Sequence, residues 1–188
     1  MRNLFFALLL SPFTAFGQLS YQIHDFELAE GHRTHVEESL DLLIKTIQSK
    51  TFKEKVLAGN YTEAYVYMGR KRKNFTNQEI LDYILHAAEK SGARKFSKVN
   101  QPKVMDFRLY PASDCEQPTI AFANSENGRI MICDRFNLDA NVKYGYHAET
   151  ARVLFHEYMH LLGFNHLKKA KHKTAIHQIP YFFVEAIR

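Results

Sequence analysis

The sequence predicts an α+β domain, and three patterns carry that prediction. In the first half of the chain, Thr-x-x-Glu capping signatures precede apolar stripes of helical period. Between residues 103 and 133 the period changes to alternation, with an Asn-Gly reversal between two of the runs. A longer helix follows from about His147 to Leu162, and it contains His156, Glu157 and His160. With 188 residues, 46% of them hydrophobic, the chain can bury one sizeable core and is too short for two large lobes.

In chain order, residues 1–17 read as a secretory signal peptide. Arg2 supplies one positive charge, residues 4–10 are apolar over a length too short to span a bilayer, and Ala15-Phe16-Gly17 ends the segment with small residues at the cleavage spacing. Cleavage after Gly17 leaves 188 − 17 = 171 residues, 18–188, as the folded domain. No later apolar run is long enough for a membrane anchor, so the expected setting is secreted or periplasmic, outside the cytoplasm in either case. Residues 18–31 form a lead-in in which Tyr21, Ile23 and Phe26 alternate weakly.

Thr34 and Glu37 make the first capping signature, and Val36, Leu40, Leu43, Ile44 and Ile47 then share one face of a helix over 35–49. Thr51 with Glu54 opens a short helix that Gly59-Asn60 ends. Residues 61–68 lean towards β, with strand and helix both open, and 69–74 read as a basic, solvated loop. Thr76 with Glu79 starts a third helix, burying Ile80, Leu81, Ile84, Leu85 and Ala88 and running to Gly92. Over 103–110, Met105, Phe107 and Leu109 alternate with Asp106 and Arg108, which predicts a strand ended by Pro111. Residues 119–123 and 129–133 flank Asn124 to Gly128 and read as a β-hairpin. A loop is expected over 134–146. The helix after it should bury Ala151, Leu154, Phe155 and Leu162, and Phe182, Phe183, Val184 and Ile187 should close the core.

The chemistry is concentrated in residues 156–166, which read H-E-x-x-H-x-x-G-x-x-H. Residues four apart on a helix lie on one face about 6 Å along the axis, so His156 and His160 can share one ion. Glu157, one residue on, can act on a water without being a ligand. Gly163 can take the left-handed conformation that stops the helix, letting His166 return as third ligand. Three neutral imidazoles with one open position form the donor set of catalytic rather than structural zinc. A chance match to all five specified positions in a chain of this composition is on the order of one in ten thousand.

The eleven-residue segment resembles the signature of the metzincin clan of zinc endopeptidases at every specified position. That resemblance implies a zincin-like fold: a mixed sheet whose edge strand binds a protein or peptide substrate in extended form above the active-site helix, with one catalytic Zn2+ and Glu157 as general base. Residues 129–133 are the expected edge. The clan also places a methionine in a turn beneath the metal, and no methionine follows Met159. Ile179-Pro180-Tyr181 can stand where the clan has Met-x-Tyr, with Ile179 as apolar floor and Tyr181 near the metal in support of the transition state.

A competing third ligand is Glu185, which lies 185 − 160 = 25 residues beyond His160, a spacing that resembles the glutamate ligand of the gluzincins. A rival of another class is a secreted zinc-binding interaction domain without turnover. Export would join Cys115 to Cys133, clamping the hairpin's start to its end. The other possibility is a cysteine that blocks the metal of a latent enzyme, for which no recognisable pro-segment motif surrounds either residue. The net charge of +5 includes Lys168, Lys169, Lys171 and Lys173, a run that serves as a solvated face or attracts an acidic surface. No nucleic-acid-binding motif occurs. The other seven histidines, at 24, 32, 35, 86, 147, 172 and 177, have no ligand spacing above chance and read as surface or hydrogen-bonded structural residues, with His172 and His177 close enough in sequence to the site to assist substrate binding.

Overall fold

The alternating stretch around Phe107 becomes the centre of a mixed four-stranded sheet. The computed structural model describes residues 18–61, 65–68, 71–86, 103–124, 126–166 and 174–187. Residues 1–17, Ala88, Gly92 and the 168–173 lysine run lie outside the described residues. In chain order the elements are β1 (Ser20–Phe26), α1 (Arg33–Ile47), α2 (Lys50–Ala58), β2 (Tyr65–Met68), β3 (Lys71–Asn74) and α3 (Asn77–Leu85). There follow β4 (Val104–Ala112), β5 (Ala121–Asn124), β6 (Arg129–Cys133), α4 (Leu138–Tyr144), α5 (His147–Leu161) and α6 (Ala175–Ile187). The fold is α+β, as its segregated patterns predict.

The sheet order is β1-β4-β6-β5. β1 and β6 both run parallel to β4, while β5 turns back antiparallel to β6 through the hairpin whose Gly128 has φ 70°. This corrects the expected edge. β6 is paired on both sides, with Leu109 opposite Ile130 on β4 and Ala121 opposite Ile132 on β5, so β5 carries the outer edge. A hairpin fixes which strands are neighbours but not which of the two faces inward, and here β4 takes β6.

Met105, Phe107 and Leu109 are buried as the alternation requires. Phe107 meets Tyr158 of α5 at 5.2 Å between ring centroids, and Phe155 on the same helix meets Phe52 of α2 at 6.0 Å and Phe183 of α6 at 6.1 Å. Each such ring stabilises the fold by roughly 1.5–3 kcal/mol when fully buried. α5 is thereby wedged between the sheet and three helices, since α1 also packs along it.

The caps follow local competition. Thr76 and Glu79 form the predicted box: the Thr76 Oγ1 accepts from the Glu79 amide at 3.2 Å and the Glu79 carboxylate accepts from the Thr76 amide at 2.9 Å. Thr34 does not cap α1, because a 3-10 turn over Glu30–His32 extends that helix backwards past it, held by Arg33 on Glu30 at 2.8 Å. Thr51 yields to Ser49, whose Oγ accepts from the Phe52 amide at 3.2 Å. Residues 71–74, expected as loop, pair with β2 as a strand. β4 continues through Pro111, and the expected loop over 134–146 contains α4, capped by the Asn137 side chain on the Ala140 amide at 3.1 Å and ended by Gly145 at φ 66°.

Candidate metal centre

α5 presents His156 and His160 from successive turns, and the way it ends brings the third histidine to them. Gly163 takes φ 98°, its amide bonds the His160 carbonyl at 2.9 Å, and the Phe164 amide bonds the Met159 carbonyl at 3.0 Å. This pair of bonds is the Schellman arrangement of a glycine-terminated helix. Phe164 is buried against Tyr83 and Phe75 of the α3 region, which anchors the turn. The chain then returns, and His166 Nε2 stands 3.2 Å from His156 Nε2 and 3.1 Å from His160 Nε2.

The three imidazoles are the group of described residues able to hold a metal, with donor atoms all within 4.8 Å of one another. Four donors at about 2.05 Å around zinc in a tetrahedron stand about 3.3 Å apart, so the two short separations fit that ion. The tautomer of His160 fits as well. Its Nδ1 lies 2.8 Å from the Phe164 carbonyl, which can only accept, so Nδ1 carries the proton and Nε2 keeps a lone pair for a metal.

Electrostatics favour the same protonation state. Burial, with repulsion from His160, His166, His177 and Arg152, pushes His156 down to about 3. Burial also lowers His160 and His166 below the ordinary 6.5 of the free imidazole. Neutral imidazole is the metal-binding form. Glu157, 5% exposed, is pushed up to about 7 by burial, against the opposing pull of a hydrogen bond from the Ala123 backbone amide. A dication held by the neighbouring histidines would draw it down again.

The site opens into a cleft of about 540 Å3. One wall is α5, through Arg152, Val153, His156, Glu157 and His160; the other is the chain leading into β5 and β5 itself, residues 118–123. Phe122, 41% exposed, stands on that edge strand.

The remaining expected residues fall elsewhere. Glu185 pairs with Lys55 Nζ at 2.7 Å and is not in the histidine group. Ile179 is buried in the core, and Tyr181, 61% exposed on α6, does not line the cleft; Ile179-Pro180-Tyr181 is helical rather than a turn. Cys115 and Cys133 are joined, with Cα atoms 6.0 Å apart. Two further residues reach the site: His177, which the sequence marks only as near enough to assist substrate binding, and Arg152, which no motif singles out. His177 places Nε2 3.0 Å from His166 Nδ1, a contact that depends on how α6 packs and leaves no local signal. Arg152 does have one: it lies four residues before His156, on the same helical face.

No protein-family model matches the chain, and no curated protein or solved structure matches it.

Proposed function

We propose that the protein is a zinc-dependent endopeptidase of metzincin type acting outside the cytoplasm, with His156, His160 and His166 as ligands and Glu157 as general base. The observation that carries this reading is the convergence of three imidazole Nε2 atoms beside a buried carboxylate in the wall of one cleft. Zinc, when bound, supplies Lewis-acid polarisation of water and of the peptide carbonyl. Glu157 takes the proton from the attacking water and returns it to the leaving amine. Among the described residues β5 is the outer strand of the sheet, and its edge, apart from the Ala123 amide held by Glu157, offers backbone N–H and C=O groups on which an extended peptide can add as a further strand across the cleft. His166 is favoured over Glu185 as third ligand because the Glu185 carboxylate is engaged with Lys55. The joined Cys115 and Cys133, together with the leader-like residues 1–17, support an oxidising compartment.

The test is hydrolysis of an unfolded protein by the zinc-loaded chain with and without a chelator, followed by Glu157→Gln at equal zinc content. The substitution should lower the rate by about 10²–10⁴-fold. Full activity in a zinc-bound Glu157→Gln variant would overturn the mechanism. Zinc binding without hydrolysis in the wild type would leave the interaction domain as the reading.

A further inference from the structure

Apart from Glu157, Arg152 is the one formally charged side chain in the cleft wall among the described residues. It precedes His156 by one helical turn, about 6 Å along the same face, and helical side chains lean towards the N-terminus, so its guanidinium extends the cleft away from the imidazoles. Glu149 holds it from one side, accepting from Nε at 2.9 Å and from Nη2 at 2.5 Å. That fork fixes the plane of the guanidinium and uses two of its five N–H donors. Of the three left, one on Nη1 and the second on Nη2 run parallel, and none of the three has a hydrogen-bond partner among the described residues; the side chain is 22% exposed. Glu149 is not part of the cleft wall, so the pair turns its cationic end to the substrate space. A planar guanidinium with parallel donors to spare matches a carboxylate.

We infer that the cleft selects peptides that place a carboxylate on Arg152 about one or two residues from the scissile bond, with Glu149 as the positioning residue. The distance follows from an extended chain advancing about 3.3–3.6 Å per residue. The inference rests on the endopeptidase reading. Two sources can supply the group: an aspartate or glutamate side chain, or the carboxylate at the end of the peptide chain.

The experiment uses the zinc-loaded protein and two peptide series. In the first, amidated peptides carry Asp or Glu, or the isosteric Asn or Gln, at each position within three residues of the cut. In the second, neutral peptides carry a free or an amidated C-terminus. The readout is the ratio of kcat/KM for charged and neutral partners within one enzyme, which cancels differences in folding or zinc loading between variants. The acidic side chain, or the free terminus, should be preferred by roughly tenfold or more, and whichever series shows the preference names the source. Arg152→Gln should bring the ratio to about one, and Arg152→Glu should shift the preference towards lysine. Cleavage with equal ratios in the wild type, or a preference that survives Arg152→Gln, overturns this inference and leaves the endopeptidase reading standing. Cleavage of no peptide overturns both.

Discussion

His166 is held from both sides of its ring. If Nε2 serves a metal, Nδ1 must carry the proton, and that proton points at His177 Nε2 3.0 Å away. Outer partners of this kind fix the tautomer and orientation of a ligand and typically account for 10–100-fold in affinity. His177→Ala should therefore weaken zinc binding by roughly that factor, read by competition with a chelating dye, while the circular dichroism of the metal-free protein stays unchanged. Glu185→Ala should leave zinc content as it is, because its partner is Lys55. Equal zinc affinity in wild type and His177→Ala would remove His177 from the site. The buried imidazoles also dictate how the chelated protein responds to acid. His156, His160 and His166 are lowered from 6.5, so below that pH the unfolded chain binds protons that the folded chain refuses, and stability falls as pH falls. Glu157 acts oppositely: raised from 4.5 to about 7, it is protonated earlier in the folded state and gains stability as pH falls through that window. Three groups oppose one, so the urea midpoint of the chelated wild type should drop between about pH 6.5 and pH 4, and more steeply in Glu157→Gln, where the opposing gain is gone. A midpoint that is flat in both would contradict the burial of these rings.

At the scale of elements, the decisive piece is the end of α5. Gly163 sits at φ 98°, where a Cβ meets backbone strain, and both Schellman bonds depend on that conformation. Gly163→Ala should cost about 1–2 kcal/mol in denaturant unfolding and, by displacing the return to His166, weaken zinc binding as well. Loss of stability with unchanged zinc affinity would show that His166 finds its place without this turn. This element was legible because everything it needs is local: two histidines four apart, a glycine three further on, a third histidine three beyond that. The hairpin and the Thr76 cap were legible for the same reason. The caps at Thr34 and Thr51 were misread because an adjacent turn or a serine two residues earlier competes for the same amides, and α4 was missed because its start rests on Asn137 at φ 50°, a conformation that composition does not announce. The edge strand was misassigned for a different reason. Which hairpin strand joins β4 is decided by residues about twenty positions away, and no periodicity records it.

At the scale of the molecule, the cleft exists only because two distant parts of the chain are held in register: α5 on one side and the β5 hairpin on the other. Two links join the sheet to α5 and a third braces the hairpin within the sheet. The Ala123 amide bonds the Glu157 carboxylate, Phe107 packs on Tyr158 at 5.2 Å, and the Cys115–Cys133 bond ties the approach to β5 onto the end of β6. The first two act directly between sheet and helix. The third acts within the sheet and closes a loop of sequence separation 18, which in the chain-entropy view removes about 3 kcal/mol of freedom from the unfolded state. Its second effect is on the cleft, because residues 118–123, which form the wall opposite α5, all lie inside that loop. The histidines do not; they are fixed by α5 and its return. On the proposed endopeptidase reading, replacing both cysteines by alanine should therefore separate the two properties: stability falls by about 2–4 kcal/mol, zinc affinity stays within about twofold, and KM for a peptide substrate rises more than kcat falls. If zinc affinity falls together with KM, the hairpin and the metal centre are one mechanical unit, and the bond through Ala123 transmits more between them than the strand order alone implies.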